Sequence, residues 1–130
     1  MLTNDNLSIK VYDFLQLEEL AKDYQSAKCF VLPSFEEHWG LVVHETALSG
    51  CVLLLSDRVG AAKDFLSKDN GFTFNPYSLA SFKKALENVF SMDNEALLQA
   101  YKKSIELSKT KGIKSFVNGV NQLLALVAYE

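Results

Sequence analysis

The chain is poor in several residue types, and each scarcity excludes something. Its 130 residues include a single arginine, Arg58, and the net charge is −3. Lysines pair only at Lys83-Lys84 and Lys102-Lys103, on predicted helix faces, so no basic footprint for nucleic acid exists. Two prolines and six glycines leave no Pro/Gly-rich linker that would divide the chain. Two cysteines, Cys29 and Cys51, each sit in an apolar strand-like run and read as buried reduced thiols. No apolar run approaches the ~20 residues that cross a bilayer, and MLTNDNLS lacks the basic and apolar parts of a secretory signal. A cytoplasmic, single-domain protein is expected, and a composition of 48% hydrophobic and 22% charged residues supplies it with a core.

What is there reads as alternating strands and helices. Ile9 to Phe14 alternates apolar with polar and predicts a strand; Leu17 to Ala27 predicts an amphipathic helix. Cys29 to Leu32 and Cys51 to Leu55 are short and wholly apolar, as in strands covered on both faces of a parallel sheet. Between them, Gly40 to Ser49 predicts a helix stopped by Gly50. A short helix over Ala61 to Leu66, an Asn70-Gly71 turn and a brief strand over 72–74 follow. From Ser78 onward the pattern is helical. Ser78 or Ser81 caps one helix, Asp93 a second, and a third beyond Gly112 would turn Phe116, Val117, Val120, Leu124 and Val127 inward. The sum is one α/β domain over 1–130, with a Rossmann-like parallel sheet in 9–74 and C-terminal helices in 78–128.

Ligands of such sheets bind beyond the carboxyl ends of the strands. The loops after Leu32 and Leu55 lie at that edge, and the first is the unusual one: Pro33 to Gly50 reads PSFEEHWGLVVHETALSG. A helix beginning near Gly40 offers free amides and a positive dipole end to a phosphate or an electron-rich oxygen. Gly40 has no side chain to block the approach. Glu45 can accept two hydrogen bonds from a ribose diol, and Glu37 can do likewise for a sugar ring. Plainer readings stand beside these. Glu36 or Glu37 can simply complement the dipole, and Trp39 can plug the loop onto the core. His38 and His44 have no recognised metal-ligand spacing and read as surface histidines; Arg58 reads as a solvated surface group or a phosphate partner.

Taken together, Pro33-Ser34, Glu37, Trp39-Gly40-Leu41, Glu45, Gly50, Ser56-Asp57, Gly60 and Asn70-Gly71-Phe72 resemble the donor-binding part of retaining GT-B glycosyltransferases of family four. The similarity runs from about Ile9 to Phe90. Departures from the pattern are Val52 for a proline, His38 for a proline and Thr46 for an alanine. The resemblance implies a GT-B C-terminal half-domain whose first strands are missing. It also implies transfer of a hexose from a nucleotide-diphospho-sugar to a hydroxyl of a glycan or lipid-linked glycan. Glu37, Trp39, Gly40 and Leu41 match the donor-sugar and diphosphate positions, and Glu45 the ribose position. Ser34, His38, Arg58 and Gly60 are secondary candidates.

No cofactor and no metal are expected, the nucleotide-diphospho-sugar being substrate. The resemblance further implies an acceptor-binding N-terminal domain and an Arg/Lys pair for the diphosphate, neither of which lies within these residues. No complete catalytic set is therefore expected in this chain. Its first strand would either move beside Cys29 to Leu32 or pair with another chain, making a homo-oligomer. The alternative reading is a non-catalytic remnant or interaction module that keeps the fold. In the full-length enzyme, peripheral membrane association stays open.

Overall fold

A computed structural model describes residues 8–112 together with 117, 118 and 120–122. It contains α1 (Leu17–Ser26), β1 (Cys29–Leu32), α2 (Leu41–Leu48), β2 (Val52–Ser56), α3 (Ala62–Phe65), β3 (Gly71–Phe74), α4 (Leu79–Phe90) and α5 (Asn94–Lys109). The strands form one parallel sheet in the order β1-β2-β3. Cys29 faces Val52 across the first pair, and Leu53 faces Gly71 across the second.

Strand β2 is the centre of the molecule. Val52, Leu53, Leu54 and Leu55 are buried, because a central strand with helices on both faces has no solvent side. Leu53 and Leu55 point to Val43, Ala47, Ala61 and Phe65 of the α2/α3 layer. Leu54 points the other way, to Phe74 and Ala85 beneath α4. Each such side chain contributes about 2 kcal/mol of burial. Helix α5 then covers α2 and α3 with a stripe of small buried residues, Ala100, Ser104 and Ser108, spaced by four and so on one face.

The helix ends follow their capping residues. Ser78 Oγ accepts from the Ser81 amide at 3.2 Å and Asp93 Oδ1 from the Ala96 amide at 2.8 Å, as the sequence predicts. Gly50 stops α2 in the left-handed region at φ 85°.

Three expectations are corrected. Residues 9–14 form no strand: Ile9, Val11, Tyr12 and Phe14 are exposed, and among the described residues no strand pairs with this segment. The sheet therefore starts at Cys29. Alternation marks an amphipathic segment, but a strand exists only where a neighbouring edge takes its backbone groups. His44 is no surface histidine; it is half-buried between α2 and α5. Its ring stacks on Phe65 at 4.7 Å, and Nε2 lies 3.1 Å from the Ser108 carbonyl. The third C-terminal helix falls largely outside the described residues, and Val117 and Val120, which are described, are exposed instead of inward.

Candidate functional site

The carboxyl ends of the parallel strands share one edge, and the loops after β1 and β2 are stitched together there. The Glu37 amide donates to the Arg58 carbonyl at 3.2 Å, and the Gly60 amide donates back to the Glu37 carbonyl at 2.8 Å. Glu37 and Val59 thus form a one-residue parallel bridge. The Ala61 amide adds a 2.8 Å bond to the Trp39 carbonyl. Deeper in, Ser56 Oγ donates to the Ser34 carbonyl at 2.6 Å and accepts from the Arg58 amide at 3.3 Å. Secondary candidates Ser34, Arg58 and Gly60 therefore hold the two loops together through their backbones.

Gly40 ends the loop and starts α2. It is buried at φ 87°, a left-handed conformation that other residues rarely adopt. From there the chain turns straight into the helix, with the Val43 amide donating to the Gly40 carbonyl at 2.9 Å. No side chain caps α2. Its first-turn amides, at Leu41 and Val42, consequently have no side-chain cap and carry the positive end of the helix dipole. The Trp39 amide, expected in the same cradle, is instead engaged internally, donating to Glu37 Oε1 at 3.2 Å. The Trp39 ring is partly exposed and meets Phe65 edge-on at 6.4 Å, so the packing reading of this residue holds in part.

A cleft of about 280 Å³ opens between the loops, lined by Glu36, Glu37, His38, Asp57, Arg58, Val59 and Gly60. Its carboxylates outnumber its cation, an arrangement suited to accepting hydrogen bonds from hydroxyl groups. The ion pairs at its rim, His38–Glu36 at 3.6 Å and Arg58–Asp57 at 3.5 Å, are solvent-exposed and hold little energy. Larger depressions elsewhere, such as the one of about 540 Å³ between β3 and α4, hold none of the candidate residues.

Glu45 is exposed on α2 and does not line this cleft. Burial first, then the negative charge of Glu45, then Cys51, push the Tyr24 hydroxyl above its ordinary range. The structure therefore gathers Glu37, His38, Arg58 and Gly60 in one cleft and Trp39, Gly40 and Leu41 at its helical border, with Glu45 about one helical turn beyond. Glu36, Asp57 of the Ser56-Asp57 pair, and Val59 complete the lining. Of these, Val59 was not singled out in the sequence, and only its place one loop over from Glu37 could have signalled it. No group of three or more His, Cys, Asp or Glu side chains fit to hold a metal occurs among the described residues. No helix among them is long and apolar enough to cross a membrane.

Residues 3–108 match the family described as glycosyl transferases group 1. The chain belongs to that family. A 66-residue part of this glycosyltransferase-family chain is 41% identical to the sulfoquinovosyl transferase SQD2 of Arabidopsis thaliana, covering 48% of the chain and 13% of that protein. Its fold is similar to that of a sucrose-phosphate synthase from Thermosynechococcus elongatus, with a TM-score of 0.72 at 23% identity. That match covers 87% of this chain and 29% of the synthase. An α,α-trehalose 6-phosphate synthase from Burkholderia multivorans superposes with a TM-score of 0.71 at 19% identity over 89% of this chain and 26% of its own. The catalytic domain of starch synthase IV from Arabidopsis thaliana, bound to ADP and acarbose, matches with a TM-score of 0.61 at 22% identity, covering 82% and 23%. The α/β arrangement is thus a Rossmann-like fragment of the GT-B glycosyltransferase fold. It spans less than a third of each of these proteins.

Proposed function

We propose that this chain is the donor-binding part of a retaining glycosyltransferase that moves a hexose from a nucleotide-diphospho-sugar to a hydroxyl acceptor on a glycan or lipid-linked glycan. The observation that carries the reading is the uncapped start of α2 at Gly40, set against the Glu37 carboxylate at the carboxyl edge of a parallel sheet. Family membership supports it.

In this reading the diphosphate lies on the Leu41 and Val42 amides, where the helix dipole stabilises the charge that builds on the leaving nucleotide. Gly40 supplies the left-handed turn, at φ 87°, from which the helix starts. Glu37 spends Oε1 on the Trp39 amide, which fixes the carboxylate, and keeps Oε2 for sugar hydroxyls. Glu45, one turn along α2, accepts from the ribose diol. Arg58 and His38 at the rim contact the distal face of the sugar. A cationic pair for the diphosphate and an acceptor domain come from polypeptide beyond these residues, so the chain alone binds weakly and turns over negligibly.

The polypeptide that supplies them also covers the free side of β1. Leu17 and Phe14 are exposed, α1 buries none of its residues, and β1 is only half-buried although every side chain in it is apolar. An unprotected edge of this kind associates. A light-scattering mass of one chain at high protein concentration would remove a second copy as the covering partner.

Calorimetric titration with UDP, ADP and GDP and with their glucose conjugates tests the donor site. Glu45→Ala is expected to weaken nucleotide binding about tenfold, the equivalent of ~1.4 kcal/mol for lost hydrogen bonds to a carboxylate. Glu37→Gln is expected to erase the difference between the sugar conjugate and the bare diphosphate. Equal responses from wild type and Glu45→Ala would sink the assignment.

A further inference from the structure

Phe35 and Tyr77 have no part in the donor site, yet they stand on the same edge of the sheet. Their ring centroids are 5.1 Å apart with the planes tilted by 41°. Phe35 is nonetheless 61% exposed and Tyr77 69% exposed, so the contact between them leaves most of both rings in water. They come from the loops after β1 and β3 and meet across the end of β2.

Neither ring owes its exposure to a loose backbone. Phe35 is bracketed by the Ser56 Oγ bond to the Ser34 carbonyl and by the Glu37 amide bond to the Arg58 carbonyl. On the other side, the Tyr77 amide donates to Asn75 Oδ1 at 2.9 Å and the Asn75 amide donates to Ser81 Oγ at 3.0 Å. Ser78 then caps α4. Paired aromatics held in solvent at a ligand-binding edge forgo burial that folding alone would favour, and such patches mark binding sites.

The order of groups along the edge tells which ligand part arrives there. Glu45 lies on α2, more than one helical turn past its start at Gly40. Glu37 and Gly60 come next, and the Asp57 amide, bonded to the Phe74 carbonyl at 2.9 Å, leads across to β3 and Tyr77. A nucleotide whose ribose is at Glu45 and whose sugar is at Glu37 therefore has the aromatic pair at its far end, beyond the transferred sugar.

We propose that Phe35 and Tyr77 form a stacking platform for a pyranose ring of the acceptor. The inference takes its polarity from the donor reading above. A pyranose presents a face of C–H groups with hydroxyls around its rim, which matches the electron-rich face of an aromatic ring and the polar tip of Tyr77. A nucleobase is also flat, but it extends from the ribose and so belongs at the Glu45 end.

Saturation-transfer NMR with methyl β-D-glucopyranoside and methyl α-D-mannopyranoside tests the platform, alongside UDP titration of the same proteins. Transfer to the glycosides is expected in the wild type, to fall about fivefold in Phe35→Ala and in Tyr77→Ala, and to persist in Tyr77→Phe, as loss of one stacking contact implies. UDP affinity and melting midpoint should stay close to wild type in all three. No transfer in the wild type, equal transfer in the alanine variants, or Phe35 and Tyr77 ring signals that move with UDP instead of the glycosides would each overturn the proposal. Silence from every nucleotide diphosphate would bring down the donor reading, and the glycoside arm is read independently of it.

Discussion

Gly60 lies so close to the carbonyl of His38 that a Cβ at position 60 would sit 2.0 Å from that oxygen. The approach is what allows the Gly60 amide to reach the Glu37 carbonyl at 2.8 Å and the two site loops to act as one unit. Gly60→Ala is therefore expected to force the loops apart, because the clash is with backbone and no side chain can swing away. A loss of about 1–3 kcal/mol in urea unfolding is expected, together with weakened nucleotide binding. An alanine variant that melts and binds like wild type would show that the loops are not coupled in this way.

Gly40 and Gly50 carry a different constraint, and comparing them separates strain from crowding. Both have φ near 85°, where an added Cβ strains the backbone by about 1–2 kcal/mol. At Gly40 the nearest atoms to such a Cβ are side-chain carbons at 3.3 Å and beyond, whereas at Gly50 the Tyr101 ring lies within 2.1 Å. Gly50→Ala should thus destabilise more than Gly40→Ala, and Gly50→Ala with Tyr101→Ala should recover part of the difference. Thermal melting of the three variants measures it.

A buried polar chain joins the C-terminal helices to the sheet. Asn70 Nδ2 donates to the Phe65 carbonyl at 2.9 Å and to Ser104 Oγ at 3.0 Å, and Ser104 Oγ donates to the Cys51 carbonyl at 2.8 Å. Asn70 Oδ1 accepts from the Ser67 amide at 2.7 Å. Ser104→Ala takes away the partner of one Asn70 N–H and the hydroxyl donated to the Cys51 carbonyl, both in the interior, and is expected to cost about 1–3 kcal/mol. Because the groups share one network, Asn70→Ala and Ser104→Ala should be non-additive in a double-mutant cycle.

The two thiols give a pH signature. Burial first, then the neighbouring Cys51, raises the Cys29 thiol from 9.0 to about 11, and burial likewise raises Cys51 against a backbone hydrogen bond that lowers it. A group whose pKa is raised on folding contributes fully below its unfolded pKa, and that contribution is lost as pH climbs through the folded value. Between pH 9.0 and about 11 the wild type should lose stability faster than Cys29→Ala. Iodoacetamide at about pH 8 should label neither thiol quickly until denaturant is added, since the thiolate is the nucleophile.

Much of the fold was readable because local patterns and tertiary needs coincide. Cys51 to Leu55 has no polar positions, as a strand covered on both faces requires, and β2 is buried throughout. Cys29 to Leu32 is just as apolar and forms the expected strand, but it is only half-buried. Ser78 and Asp93 cap their helices through bonds made within three residues, so no distant partner is needed. In the site, the order of Glu37, Gly40 and Glu45 along the chain already places a carboxylate before a helix start and another one turn into it.

The failures share one cause, which is that a residue's partner lies far away in sequence. Asn70 read as a turn residue, and its amide does belong to a turn, but its interior role depends on Ser104. His44 read as solvated until α5 laid the Ser108 carbonyl against it, 64 residues along the chain. Ile9 to Phe14 alternates as a strand should, and remains unpaired among the described residues because alternation selects a face without supplying an edge.

By itself, the sequence determined the β1-β2-β3 parallel sheet, the helix ends and the composition of the loop after β1, since these follow from hydrophobic period, capping chemistry and the conformational freedom of Gly40. Tertiary structure alone decided that Glu37 spends one oxygen on the Trp39 amide, that Gly60 closes on His38, and that Phe35 meets Tyr77 across β2. Those relationships arise from how the strand ends line up side by side, and strand neighbours are chosen by packing over the whole chain, which no local pattern encodes.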